Sequence, residues 1–181
     1  MQKRTHTLLA QTLLRSGTGF SARRFELAFL FGSFQPDVNP LSYLKGSLRY
    51  NKLKGHNYTN SRAYINAKIL KLQRRRRWTM WQYYTLGKLT HYLADAYTYP
   101  HNPDYPNTML DHHNYETDFR RFMRGYLAHQ HLRRQQARRD LIAALEELHE
   151  QYMATRASMV RDANYILKAT SLLMAGCLPA A

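Results

Sequence analysis

Cysteine is almost absent: Cys177 is the only one in 181 residues. That excludes a disulfide framework and any thiolate-rich zinc site. Acidic residues are scarce as well, 12 Asp and Glu against 27 Lys and Arg, which leaves a formal net charge of +15. Such a balance points to an anionic partner: a phosphate ester, a nucleic acid or membrane headgroups. No apolar run approaches the ~18 residues of a membrane span. The start, MQKRTHTLLAQTLLRSG, lacks the longer apolar region and small-residue cleavage site of a secretory signal. A cytoplasmic chain is the expectation. Proline is confined to positions 36, 40, 100, 103, 106 and 179. With 44% apolar residues the chain can bury a core, and residues 1–181 are expected to form one domain.

The proline-free stretches carry helical periodicity. Trp78, Trp81, Thr85, Leu89, Tyr92 and Ala96 step by three or four residues, as do Tyr115, Phe119, Phe122 and Tyr126. Leu141, Leu145, Leu148 and Tyr152 form another stripe, and Val160, Leu167 and Met174 a further one. Ile65, Ile69 and Leu72 mark a helix after Asn60, Leu9 and Leu13 one at the N-terminus, and Phe25 to Phe31 one between them. No segment sustains strict alternation with β-branched residues, so the expected class is all-α, a multi-helix bundle. Residues 32–57 and 99–111, dense in Gly, Pro and Asn or in Pro alone, read as a long loop and an extended segment. Loops of this length in a small domain usually serve function.

Nine histidines stand out against the few acids. His129, His131 and His149 fall among charged helix residues and read as surface. The others gather near carboxylates or in the two loops. His91 and Asp95 are i and i+4 and share a helix face, with Gly87 one turn earlier to admit a close neighbour. His112 and Glu116 repeat that pairing, His101 follows Pro100, Asp37 follows Pro36, His56 follows Gly55, and His6 lies on the first helix. Imidazole with carboxylate is the ligand set of catalytic zinc.

The run LGKLTHYLADAYTYPHN at 86–102 resembles the central motif of the zinc-dependent phospholipase C family, whose core is shared by the single-strand-specific zinc nucleases. His91, Asp95 and His101 meet its His-x3-Asp-x5-His pattern, and His112 and Glu116 meet a later His-x3-Glu. Pro36-Asp37, His56 and an N-terminal-helix His6 complete the ordered set. The resemblance spans residues 1 to 119. It implies an all-α fold with two or three Zn²⁺ ions and a metal-activated water that attacks a phosphodiester. Carried over by position, it implies a first zinc on Asp37, His56, His91 and Asp95, and a second on His101, His112 and Glu116. A third would take His6, a bridging Asp95, and the α-amine and carbonyl of Met1, which the bulk of Gln2 helps to retain. Asp37 is the catalytic candidate that orients or deprotonates the water.

Two departures bear on substrate. Val38 stands where choline-lipid-cleaving members carry an aromatic, and Lys3-Arg4 where they carry an acid. The expected substrate is therefore an anionic phosphodiester, phospholipid or nucleic acid, with peripheral membrane contact as a further candidate and no protein partner indicated. The alternatives are a single-strand-specific zinc nuclease and a non-catalytic basic helical module that binds nucleic acid or membrane. Arg74 to Arg77 read either as a solvated turn or as an anion patch, and Arg133, Arg134, Arg138 and Arg139 lie near a helix start. Tyr92, Tyr97, Tyr99 and Tyr115 read as core or rim packing rather than as a stacking platform.

Overall fold

A computed structural model describes residues 1–16, 19–38, 58–102, 108–130, 136 and 139–179. Among them it is all-α, with no strand. The helices are α1 (Lys3–Ser16), α2 (Arg23–Val38), α3 (Tyr58–Gln73), α4 (Met80–Ala96), α5 (Met109–Ala128), α6 (Leu141–Ala154) and α7 (Met159–Cys177), with a 3-10 turn at Tyr99–His101.

Local chemistry sets the starts. Thr79 caps α4 in a reciprocal box with Gln82, and Thr108 caps α5 in the same way with Asp111. Asp140 and Ser158 cap α6 and α7. The α5 cap fixes where His112 and Glu116 fall: on one face, one turn apart.

Helix α4 lies at the centre, against α1, α2, α3 and α7. Its second half is buried on nearly every side, from Leu89 through Ala96. The expected stripes of α1 and α3 are core: Leu9, Leu13, Ile65, Ile69 and Leu72 are all buried. So are Leu167, Leu172, Leu173, Met174 and Cys177 of α7, although Val160 at its start is exposed. On α4 the stripe departs from expectation at its N-terminal end, where Trp81 is 67% exposed.

Among the described residues α2 and α4 meet backbone to backbone. A Cβ at Gly87 would stand 2.1 Å from the Phe29 carbonyl oxygen, and one at Gly32 would stand 2.1 Å from that of Tyr84. Two backbones meet there with no room for a side chain. This contact corrects one expectation. Residues 32–38 are not loop but the last turns of α2, with Pro36 inside the helix. Proline removes one backbone hydrogen bond. The burial of Ala28, Phe29, Gly32, Ser33 and Pro36 on one face against α4 holds the helix regardless. The rest of the expected loop, 39–57, lies outside the described residues. The expected extended segment 99–111 is corrected at both ends, since Tyr99–His101 is a 3-10 turn and α5 begins at Met109, while 103–107 lie outside the described residues.

Candidate metal centre

Two groups of side chains converge, each able to hold a metal ion: His6 with His91 and Asp95, and His101 with His112 and Glu116. Helix α4 supplies His91 and Asp95, α1 supplies His6, α5 supplies His112 and Glu116, and the 3-10 turn supplies His101. Asn102 braces that turn by donating from Nδ2 to the carbonyl oxygens of Ala96 and Thr98, at 3.2 and 3.0 Å.

In the first group Asp95 Oδ1 is 3.2 Å from His6 Nε2, and Asp95 Oδ2 is 3.3 Å from His91 Nε2. The rings of His6 and His91 stack, centroids 3.8 Å apart. Asp37 reaches in from the end of α2, its Oδ1 3.6 Å from His91 Nε2 and its Oδ2 4.0 Å from His6 Nε2. His6 Nε2 and Asp37 Oδ2 are buried without a hydrogen-bond partner among the described residues. Buried polar atoms left so are costly. The ligand atoms of His6, His91 and Asp95 lie within 4.8 Å of one another, a spacing that a cation would satisfy. The donor set agrees: imidazole nitrogen and carboxylate oxygen without thiolate suit catalytic zinc.

His91 Nδ1 lies 3.0 Å from the carbonyl oxygen of Ser33. A carbonyl only accepts, so Nδ1 carries the proton and Nε2 is the nitrogen turned to the pocket. Ser33 was not visible as a site residue in the sequence. The signal would have been its place beside Gly32, where α2 approaches α4.

In the second group His101 Nε2 and His112 Nε2 meet Glu116 Oε1 at 3.3 and 3.2 Å. Asp95 stands between the groups, its Oδ1 3.9 Å from His101 Nε2. The α-amine of Met1 also enters here, 2.6 Å from Asp95 Oδ1, 3.0 Å from His101 Nε2 and 3.1 Å from Glu116 Oε1. His6 thus groups with His91, and the Met1 amine faces both Asp95 and the second group. His56 lies outside the described residues, as do His131, Arg133, Arg134 and Arg138. His113, beside His112, is exposed.

The charges are strongly coupled. Burial works against the Met1 ammonium, but Asp95 and Glu116 outweigh it and raise its pKa to about 10. Burial would likewise push Asp95 up, yet the ammonium and then His101, His6 and His91 hold it well below its ordinary range. Glu116 is also held low, against burial, by hydrogen bonds from His101 and His112 and by the ammonium. His101 is lowered by burial and by the same ammonium. Asp37 is raised to about 6 by burial, with His6 opposing.

The family model for zinc dependent phospholipase C matches residues 5–165. The chain belongs to the zinc dependent phospholipase C family. The match extends past the region of the motif through α6 and into α7, so it takes in nearly all of the fold that positions the two groups. No curated protein and no solved structure matched the chain. This phospholipase C family member has no helix, among the described residues, long and apolar enough to cross a membrane.

One expectation about the histidines is corrected. His149 is not a surface residue: it is 8% exposed, packed against Tyr97 and Tyr152. The charged neighbours that suggested a solvated face belong to the opposite side of α6, where Glu147, Glu150 and Gln151 are exposed. Tyr97 and Tyr152 are fully buried core, and Tyr92 packs edge-on to His91.

Proposed function

We propose that the protein is a zinc-dependent hydrolase of phosphodiesters that acts on anionic phospholipid at a membrane surface. The carrying observation is that Asp95 lies between two His-carboxylate groups, each able to hold a metal. His6, His91 and Asp95, with Asp37 at the rim, would hold one zinc, and His101, His112 and Glu116 another. The Met1 amine is the candidate additional ligand. Zinc bound there would supply Lewis-acid activation of water and of the phosphoryl oxygens.

The protein's own residues do the rest. Asp37, with its side chain 18% exposed at the edge of the pocket, orients a water and accepts its proton. Ser33 holds His91 in the ligating tautomer. Asp95 keeps the two groups in a fixed relation, because it comes from the buried half of α4.

A surface feature favours lipid over nucleic acid. Leu27, Phe31, Phe34 and Val38 follow one another at four, three and four residues along α2, and the stripe ends beside Asp37. Leu27, Phe31 and Val38 are about half exposed. Phe31 stacks on Tyr84 of α4, and Tyr84 in turn meets the exposed Trp81. Lys3 sits over the Phe34 ring and Lys88 over that of Tyr84. Aromatic groups rimmed by cations suit an anionic lipid interface. The exposed Arg74 to Arg77, beside a hollow lined by Leu70 and Lys71, add attraction for anions.

The test is turnover of phosphatidylglycerol vesicles, phosphatidylcholine vesicles and single-stranded DNA, each with and without a chelator. Chelator-sensitive cleavage of phosphatidylglycerol, faster than that of phosphatidylcholine and slowed by salt, supports the reading. Preferred cleavage of DNA transfers it to the nucleases. Salt-insensitive preference for phosphatidylcholine overturns the anionic assignment.

A further inference from the structure

Behind the second group lies a carboxylate that the zinc chemistry does not use. Asp162, on α7, is completely buried. Its two oxygens face different ways. Oδ1 accepts from Tyr152 Oη at 3.0 Å and from Arg161 Nε and a terminal guanidinium nitrogen at 3.1 and 2.9 Å. Arg161 is itself fixed: it donates to the Thr155 carbonyl oxygen and to Tyr152 Oη, and its guanidinium lies over the Tyr152 ring. One oxygen is therefore anchored to α7 and to the end of α6.

Oδ2 reaches the other way. It accepts the backbone N–H of Tyr99 at 2.7 Å and the hydroxyl of Tyr115 at 2.6 Å. Tyr99 opens the 3-10 turn that ends on His101. Tyr115 precedes Glu116 on α5 and follows His112 by three residues. These two segments carry every member of the second group.

A buried arginine–aspartate pair needs its remaining lone pairs satisfied too, but groups of its own helix or an ordered water would serve. The second oxygen is spent instead on a backbone amide and a hydroxyl from two separate segments. Charge-assisted bonds of this length fix geometry well. We propose that Asp162 is a positioning residue for the second metal group. Its Oδ2 holds the His101 turn and the His112–Glu116 face at the separation where their ligand atoms converge. This rests on the zinc reading above.

The experiment uses the full chain, stripped of metal and titrated with Zn²⁺ against a chromophoric chelator. Wild type is compared with Asp162→Asn, Tyr115→Phe and Tyr152→Phe, and His112→Ala identifies the second group. In Tyr115→Phe and Asp162→Asn, zinc affinity at the second group falls about 10–100-fold, the usual cost of an outer-shell loss, and that at the first group stays within about twofold. Tyr152→Phe, which touches only the anchored oxygen, lowers the melting temperature and leaves both affinities unchanged. Should Asp162→Asn not fold, Tyr115→Phe decides alone, since it leaves the Arg161–Asp162 pair intact. Wild-type affinity at the second group in every folded variant of these two overturns the proposal. If wild type takes up no zinc, the zinc reading fails, and amide exchange of Tyr99 in the metal-free chain then decides. Exchange at least about tenfold faster in Asp162→Asn, or for a non-folding variant faster in Tyr115→Phe, supports positioning, and unchanged exchange overturns it.

Discussion

A backbone carbonyl and an imidazole define the first group: the oxygen of Ser33 lies 3.0 Å from His91 Nδ1 and sets which nitrogen of that ring faces the pocket. The contact depends on the glycine crossing one residue earlier on α2, where Gly32 and Gly87 let the two helices touch backbone to backbone. Gly87→Ala should therefore damage the site without touching a ligand. The added Cβ would overlap the Phe29 carbonyl oxygen, and backbone cannot yield as a side-chain tip can. The loss should reach or exceed the ~3 kcal/mol upper range of core overpacking, with zinc affinity falling in parallel. Denaturant unfolding together with zinc titration checks it, and a stable Gly87→Ala variant with full affinity would show that the crossing is not needed.

Asp95→Asn should be the most damaging carboxylate change. It keeps size and removes the charge that faces His6, His91, His101 and the Met1 amine at once. Zinc affinity should fall by more than about 100-fold, beyond the range of outer-shell losses, whereas Asp37→Asn should lower turnover more than metal content. Elemental analysis beside initial rates separates the two.

Adjacent histidines give a sharper contrast. His112 Nε2 stands 3.2 Å from Glu116 Oε1, while His113 is exposed on the same helix. His112→Ala should empty the second group and His113→Ala should leave it intact. Equal zinc loss in both would reassign the ligand.

Much of this was legible in the sequence because helices place i and i+4 residues on one face. His91 with Asp95 and His112 with Glu116 are local pairings, and local spacing survives any tertiary arrangement. What could not be read is what arrives from elsewhere. Pro36 argued for a loop, and only the long-range burial of α2 against α4 kept the helix through it. His149 looked solvated from its neighbours along the chain, yet α6 turns it onto Tyr97 and Tyr152. Asp162 joins Tyr99 and Tyr115 across 63 and 47 residues, a relation that no spacing rule encodes. Its one visible sign was an adjacent Arg-Asp pair in the first turn of a helix whose other charged residue is Lys168.

His149 also yields a pH prediction. Burial lowers its pKa to about 4, below the ~6.5 of an unfolded chain. The unfolded state binds the proton more readily, so the stability from neutral His149 is complete above about pH 6.5 and is lost as pH falls towards 4. Asp37, raised to about 6, works in the opposite sense in metal-free protein: its contribution is full below about 4 and fades as pH rises through 6. Melting curves of chelated wild type and His149→Gln between pH 4.5 and 7.5 isolate the first effect. The variant should lose less stability on acidification, and parallel curves would rule out His149 as the source.

Chelation should destabilise the folded chain. Asp37, Asp95 and Glu116 share one pocket, and metal binds the native state preferentially. Zinc at about 100 times its dissociation constant contributes about 2.7 kcal/mol, or roughly 5–10 °C in melting temperature for a chain of this size. A calorimetric scan before and after metal removal measures it.

The most direct test of the central claim is elemental analysis of the full chain after reconstitution with Zn²⁺ and removal of the excess. The two groups predict at least two zinc ions per chain, one for each, falling by one in His112→Ala. Less than one zinc per chain in the folded wild-type protein would contradict the account.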